Sequence, residues 1–498
     1  MSDTAVNAET AAMPAKSPKA EDLKVLIVAS EVAPYAKSGG LGDVAGSLPR
    51  ELCKLGVDCR VVFPKYEDIR DDWFKGMEYV DSIVVALGWR KQGASIHQIK
   101  AEVPTYVIEN DFYFRRHGFY GYGDDFERFA FFSKASIEML TKIDFRPDVI
   151  HFNDWQTGVA TVYLKDVYGK FTFFNGIKSL YTIHNLQYQG VFGREVLGTI
   201  DLDDSYFAPD KMEFYDNINF MKAAIVYADA VSTVSETYAS EIKYSNFGYM
   251  LNGVLQSRGD DVYGVINGID VDHNNPETDS RIYAPYSKDD LSGKAKNKAE
   301  LQKDLGLDVR PEVPIISIIS RLADQKGLDL VALCMEELMG KDLQVVVLGT
   351  GEGRYEHLFK HYSWRFPNKM SANIFFSDEL AQRIYAGSDM FLMPSLFEPC
   401  GLGQLFAMRY GTIPIARRTG GLNDTIEAYN PETGGGTGFL FNDYVASGMM
   451  WAINSALGLF WDNKEAWTKL IKNAMNKDYS WAASAKKYVE LYKKLRDR

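Results

Sequence analysis

Apolar residues gather along this chain in short runs, separated by glycine-bearing loops and longer amphipathic stretches. Lys24-Val25-Leu26-Ile27-Val28-Ala29-Ser30 is the first run. It has the length and continuity of a parallel strand buried on both faces. Val44, Leu48, Leu52 and Leu55 then recur at helical spacing over 43–55, and Arg60-Val61-Val62-Phe63 is apolar again. That succession predicts a βαβ unit. Short alternating segments between 79 and 109 predict an antiparallel excursion, and strand-like runs resume at 148–152, 180–184 and 230–234. The first half closes near 264–270. After a polar stretch to about Asn297 the rhythm restarts, with strands expected at 313–319, 344–348, 390–393 and 412–416.

Two such series predict an α/β protein with two Rossmann-like, doubly wound domains facing across a cleft. The divisions read from the pattern are a disordered lead-in at 1–23, domains at 24–268 and 269–478, and a terminal helix at 479–498. The helical pattern at 481–495 reads as too polar to be central, so it is expected to pack across the surface.

Composition narrows the function. A chain of 498 residues exceeds what one core usually organises. A net charge of -12 disfavours nucleic acid as the main partner. No segment approaches the roughly 20 apolar residues of a membrane span, and no secretory signal is read at the start. Cys53, Cys59, Cys334 and Cys400 are scattered, as suits unpaired thiols in a reduced, cytoplasmic protein. No cluster has zinc spacing and no phosphate-loop motif occurs, so no metal site is expected.

The loops carry the chemistry. Lys37-Ser38-Gly39-Gly40-Leu41-Gly42-Asp43 lies between the first strand and the first helix. Successive backbone N–H groups there can hold an anion, and Lys37 adds a full charge. A dinucleotide fingerprint through Gly40, Gly42 and Gly46 is the rival reading. It would need its first glycine directly after the strand, and Glu31 to Gly39 intervene. In the second half, Arg321 and Lys326 share one strand-end loop, suited to a diphosphate whose charge grows as its bond breaks. Glu398 occupies the equivalent loop after 390–393, where a carboxylate can meet ligand hydroxyls. Thr419-Gly420-Gly421 forms a further strand-to-helix turn suited to phosphate or nucleobase, and Gly349-Thr350-Gly351 another. Asn153-Asp154-Trp155-Gln156 and His184-Asn185 follow buried strands of the first half.

Seven ordered blocks resemble the bacterial glycogen synthases and plant starch synthases, over 24 to about 495. They are Lys37-Ser38-Gly39-Gly40-Leu41-Gly42-Asp43, His151-Phe152-Asn153-Asp154-Trp155-Gln156, Tyr181-Thr182-Ile183-His184-Asn185 and Val265-Ile266-Asn267-Gly268-Ile269-Asp270 in the first part. Ser320-Arg321-Leu322 with Gln325-Lys326-Gly327, Phe397-Glu398-Pro399-Cys400-Gly401-Leu402 and Arg418-Thr419-Gly420-Gly421-Leu422 complete the set.

The resemblance implies a GT-B fold whose terminal helix crosses back to the first domain. It implies ADP-glucose as donor, a non-reducing end of glycogen or another α-1,4-glucan as acceptor, retention of the α configuration, and no cofactor or divalent metal. Lys37, Gly39, Gly40, Arg321 and Lys326 would approach the donor phosphates and glucose. Glu398 would face the transferred glucose in an electrostatic and positioning role, and His184 would sit beside the anomeric carbon. Asp43, Asp154, Trp155, Asn185 and Asn267 would line the sugar and acceptor site, and Thr419, Gly420 and Gly421 the nucleotide. A plant member would sit in the plastid stroma. A non-catalytic glucan-binding protein of the same fold and a nucleotide-cofactor oxidoreductase are the alternatives. One departure stands at His273-Asn274-Asn275-Pro276, where the family carries Trp-Asn-Pro; it falls at the domain boundary and bears on hinge packing.

Overall fold

The structure, a computed structural model, describes residues 23–69 and 76–498. The expected lead-in lies outside the described residues except for Leu23, which is buried. Two sheets organise the chain. The first contains β1 (Lys24–Val28), β2 (Asp58–Pro64), β3 (Met77–Leu87), β4 (Arg90–Ile99), β5 (Thr105–Glu109), β6 (Val149–Asn153) and β7 (Lys178–Ile183). A small three-stranded sheet follows, of β8 (Val191–Gly193), β9 (Glu213–Phe214) and β10 (Asn217–Asn219). β11 (Ala230–Thr233) and β12 (Val262–Gly264) return to the first sheet. Its order is β12-β11-β7-β6-β1-β2-β5-β4-β3.

β1 lies at the middle, parallel to β2 on one side and β6 on the other, with Ile27 opposite Val61 and His151. Helices cover both faces of such a strand, and its near-continuous apolar sequence follows from that. β3 and β4 pair antiparallel, as do β4 and β5, and β5 rejoins the parallel set beside β2. The antiparallel excursion is therefore a hairpin that ends the sheet.

The second sheet contains β13 (Ile315–Ile319), β14 (Gln344–Leu348), β15 (Met370–Asn373), β16 (Met390–Met393), β17 (Ile413–Arg417) and β18 (Phe439–Phe441). All are parallel, in the order β15-β14-β13-β16-β17-β18. The outermost strands β15 and β18 were not anticipated from the sequence. They are four and three residues long, too short for their apolar content to stand out. In each sheet the winding direction reverses at a central strand, between β1 and β6 in the first and between β13 and β16 in the second. A doubly wound sheet leaves its crevice at that reversal, outside the carboxyl ends of the strands.

The terminal helix Trp481–Arg496 corrects the surface expectation. Trp481, Ala485, Tyr488, Leu491, Tyr492 and Leu495 are buried in the core of the first domain. These positions form one stripe at helical spacing, and the Lys-rich remainder of the helix faces solvent. Average polarity hid the stripe because two of its members are tyrosines. The Tyr492 hydroxyl meets His151 Nδ1 at 2.8 Å, while His151 Nε2 meets the Thr182 hydroxyl at 2.5 Å. Entry to the helix is tight: a Cβ at Gly268 would lie 2.4 Å from the Trp481 backbone nitrogen. The departure at 273–276 is well tied here. Asn274 is buried, donates to the Asp270 carbonyl at 2.8 Å and accepts from Arg409 Nε at 3.0 Å.

Burial, and secondarily the neighbouring His184, holds the His151 imidazole down to about 3. Such a histidine adds stability above its unfolded value near 6.5, and that stability is lost as pH falls toward the folded value. Each pH unit in that window removes about 1.4 kcal/mol per proton taken up on unfolding. Replacement of His151 by Gln should therefore lower stability at pH 7.5 yet flatten its decline between pH 6.5 and 4.5. Chemical denaturation at several pH values measures this, and parallel declines in both proteins would contradict it.

Candidate functional site in the cleft

A cavity of about 920 Å³ opens between the carboxyl ends of the two sheets. One wall comes from loops after β1, β6 and β7: Glu31, Ser38, Gly39, Gly40, Asp154, Trp155, His184 and Asn185. Asn267 lines it from the domain boundary. The other wall comes from loops after β13 and β16: Arg321, Gln325, Lys326, Glu398, Cys400 and Gly401. Both reversal points therefore meet in one space.

Lys326 and Glu398 form the core of the second wall, with Lys326 Nζ 2.7 Å from Glu398 Oε2. Ser395 Oγ donates to the same oxygen at 3.1 Å, and Glu398 is only 6% exposed. Their loops follow adjacent strands, β13 and β16, which is why residues 72 apart in sequence touch. The nearby Arg321 is exposed and donates to Gln325 Oε1 at 3.3 Å. Cys400 is buried with its thiol pushed up to about 12 by that burial, so it stays protonated.

On the facing wall, Asn153 fixes His184. Its amide nitrogen donates to the Val28 and His151 carbonyls, leaving Oδ1 to accept from His184 Nε2 at 2.9 Å. The proton of His184 therefore sits on Nε2. Burial holds this imidazole down to about 3, so it is neutral at physiological pH. Asp154 takes φ 55 and ψ 178, a conformation that costs a non-glycine residue about 1–3 kcal/mol. Its carboxylate accepts from the His184 backbone N–H at 2.8 Å. Burial pushes the Asp154 carboxyl up to about 7, against the pull of the His184 and Asn185 backbone N–H groups. Asn267 is buried too, and its Oδ1 has no hydrogen-bond partner among the described residues.

Gly39 and Gly40 border the cavity, and a Cβ on either would meet nothing within 4 Å. Protein packing does not require their missing side chains, so the space beside them is open to a ligand. Two amides of this loop are already engaged, however. Glu31 accepts from Ser38 N at 2.5 Å, Ser38 Oγ at 2.7 Å, Gly39 N at 3.1 Å and the Tyr120 hydroxyl at 2.6 Å. Sequence reading passed over Glu31, although an acid directly after a buried strand was a visible signal. Asn153 stands in the sequence block that follows the strand at 148–152, but its bond to His184 depends on the neighbouring strand and has no local sequence signal.

Several expected site residues lie elsewhere. Lys37 pairs with Asp43 at 2.7 Å, and both line a separate cavity of about 410 Å³ beside Asp270, Arg281 and Asp378. Glu31 draws the amides of 38–39 inward, leaving the Lys37 side chain against the start of helix Gly40–Lys54. Thr419, Gly420 and Gly421 are buried and do not line the main cavity. Instead Gly420 N–H donates to Glu241, and a Cβ on Gly420 or Gly421 would strike the Glu398 or Cys400 carbonyl oxygen at 2.0 or 2.1 Å. Gly349 and Gly351 pack similarly against the backbone at Ser320 and Leu322. These glycines serve close backbone approach. Among the described residues no group of three or more His, Cys, Asp or Glu side chains could hold a metal ion, and no helix is long and apolar enough to cross a membrane.

With this geometry in view, residues 24–257 match the family described as starch synthase catalytic domain, and residues 299–477 match glycosyl transferases group 1. The chain is 49% identical over 473 residues to the glycogen synthase of Clostridium novyi (strain NT), covering 94% of this chain and 98% of that one. It is 49% identical over 481 residues to that of Clostridioides difficile (strain 630), covering 95% and 100%. Among solved structures, the catalytic domain of starch synthase IV from Arabidopsis thaliana, bound to ADP and acarbose, aligns at TM-score 0.89. Its identity is 34%, covering 96% of this chain and 100% of that one. Sucrose-phosphate synthase from Thermosynechococcus elongatus shares the fold at TM-score 0.61 and 18% identity. The chain belongs to the glycogen and starch synthase family of GT-B glycosyltransferases.

Proposed function

We propose that the cleft transfers glucose from ADP-glucose to the non-reducing end of an α-1,4-glucan with retention of configuration, in the cytoplasm. The observation that carries this is the Lys326–Glu398 pair at the reversal of the second sheet, facing neutral His184 across one cavity. The Arabidopsis relative bound to ADP and acarbose supports a nucleotide and a glucan in such a cleft.

Each residue then has a chemical task. The departing ADP gains negative charge as the glycosidic bond breaks. Arg321 and Lys326 meet that charge where it develops, and such charge-assisted contacts are worth roughly 1.5–3 kcal/mol apiece. No divalent metal is then needed to offset it. Glu398, held by Lys326 and Ser395, presents a carboxylate to the transferred glucose, orienting its hydroxyls and stabilising positive character in the ring. His184, neutral and with its proton on Nε2, adds no opposing charge near that centre. Asp154, Trp155, Asn185 and Asn267 border the sugar side, and the open faces of Gly39 and Gly40 admit the donor closely.

Incubation with radiolabelled ADP-glucose and glycogen should place label in the polymer at the same rate with and without EDTA. Absence of label from the polymer would overturn the proposal, and loss of rate on chelation would overturn its metal-independence. Glu398→Gln should lower kcat by about two to three orders of magnitude while ADP affinity, read by calorimetry, stays near wild type. Lost ADP affinity with intact turnover would contradict that role. A carboxyl raised to about 7 gains charge through the neutral range, so the pH profile of kcat/KM should bend near pH 7. Asp154→Asn should remove that bend, and an unchanged profile would assign it to another group.

A further inference from the structure

The loop that carries Glu398 belongs to the second domain by sequence, yet it is also tied directly to the first. Ser235 Oγ donates to the Pro399 carbonyl at 2.6 Å and is itself fully buried. Ser235 also caps helix Glu236–Glu241, accepting from Tyr238 N at 3.2 Å. That helix and helix Gly420–Thr425 of the second domain cap each other across the boundary. Glu241 accepts from Gly420 N at 3.1 Å and Thr419 Oγ1 at 3.0 Å. In return Asp424 accepts from Thr237 N at 2.8 Å, and Asn423 Nδ2 donates to Thr237 Oγ1 at 2.7 Å. Each carboxylate comes from the last turn of one helix and satisfies first-turn N–H groups of the other, which those helices leave unpaired.

The clamp reaches the cavity in one step. Gly421 N donates to the Glu398 carbonyl at 3.1 Å, and the Gly420 backbone sits against that same carbonyl. On the other side, Ser235 lies two residues past the end of β11, and β11 is fastened to β7 by Thr233 Oγ1 donating to the Ile183 carbonyl at 2.7 Å. His184 is the next residue along. A short chain of contacts therefore links the two walls, from His184 through β7 and β11 to Ser235, Pro399 and Glu398.

We propose that Glu241 and Ser235 are positioning residues for glucosyl transfer: the reciprocal cap between helices Glu236–Glu241 and Gly420–Thr425 registers the Glu398 carboxylate against His184. Neither residue lines the main cavity. Their action runs through the backbone at 398–400 and rests on the role of Glu398 proposed above. Because misplacement by about 1 Å can cost on the order of 100-fold in rate, loosening this cap reaches turnover without touching substrate.

The test is a double-mutant cycle on the full chain, with kcat, KM for ADP-glucose, ADP affinity and melting temperature measured for each protein. Glu241→Ala should lower kcat by roughly 10- to 100-fold, with ADP affinity within about twofold of wild type. Ser235→Ala should act in the same direction. Glu241→Gln, which keeps one acceptor oxygen and guards against a folding failure, should recover part of the loss. In a Glu398→Gln background the Glu241→Ala effect should vanish, because the group it positions is already gone. If Glu398→Gln loses turnover but Glu241→Ala keeps its kcat and only melts earlier, the positioning role is overturned alone. It is equally overturned if the two losses multiply independently. Full turnover in Glu398→Gln by itself overturns both this inference and the role of Glu398.

Discussion

At Gly268 the chain passes so close to the backbone of Trp481 that no side chain fits between them. This contact marks where the last helix returns to the first domain, and the cleft depends on that return. Six residues of helix Trp481–Arg496 complete the first core, and the Tyr492 hydroxyl is joined to His151 on β6. The second domain is thus tethered at both ends to the first, by the strand-like segment leading through Ile269 and by the helix coming back. Ile269 and Ser480 even pair as a parallel bridge at the crossing. Two sheets held this way present their carboxyl edges to each other.

Once the edges face, the chemistry follows from where the winding reverses. The reversal between β13 and β16 brings Lys326 to Glu398, and the reversal between β1 and β6 brings the Gly39–Gly40 loop beside Asp154. Burial then tunes what these groups carry. His184 is kept neutral and Asp154 is held near neutrality in its ionisation. The ion pair of Lys326 and Glu398 stays partly open to the cavity, where a departing anion can compete for the lysine. Internal carboxylates already occupy backbone N–H groups on both sides, Glu31 at Ser38 and Gly39 and Glu241 at Gly420. Anion-holding geometry in this fold therefore serves internal fastening as well as ligand binding.

Much of this was legible in the sequence, and the exceptions share a cause. Continuous apolar runs marked the central strands because these are buried on both faces, and strand-end loops marked Arg321, Lys326, Glu398, Asp154 and His184. Short edge strands such as β18 carry too few residues to register. Glycine clusters were ambiguous because backbone approach to a ligand and to another backbone use the same residue: Gly39 faces open space, whereas Gly420 and Gly421 face the carbonyls of Glu398 and Cys400. The destination of Lys37 depended on Glu31, six residues upstream, and no local pattern discloses such a bond. The terminal helix misled through its average polarity, which concealed a stripe built partly of tyrosine.

The central claim is that nucleotide and glucan meet in this one cavity, with a wall from each domain. Hydrogen–deuterium exchange of the protein with and without ADP and a short maltooligosaccharide tests it most directly. The account predicts slowed exchange both in the 38–41 and 184–190 loops of the first domain and in the 321–327 and 398–403 loops of the second. Protection confined to one domain, or centred away from all four loops, would contradict it.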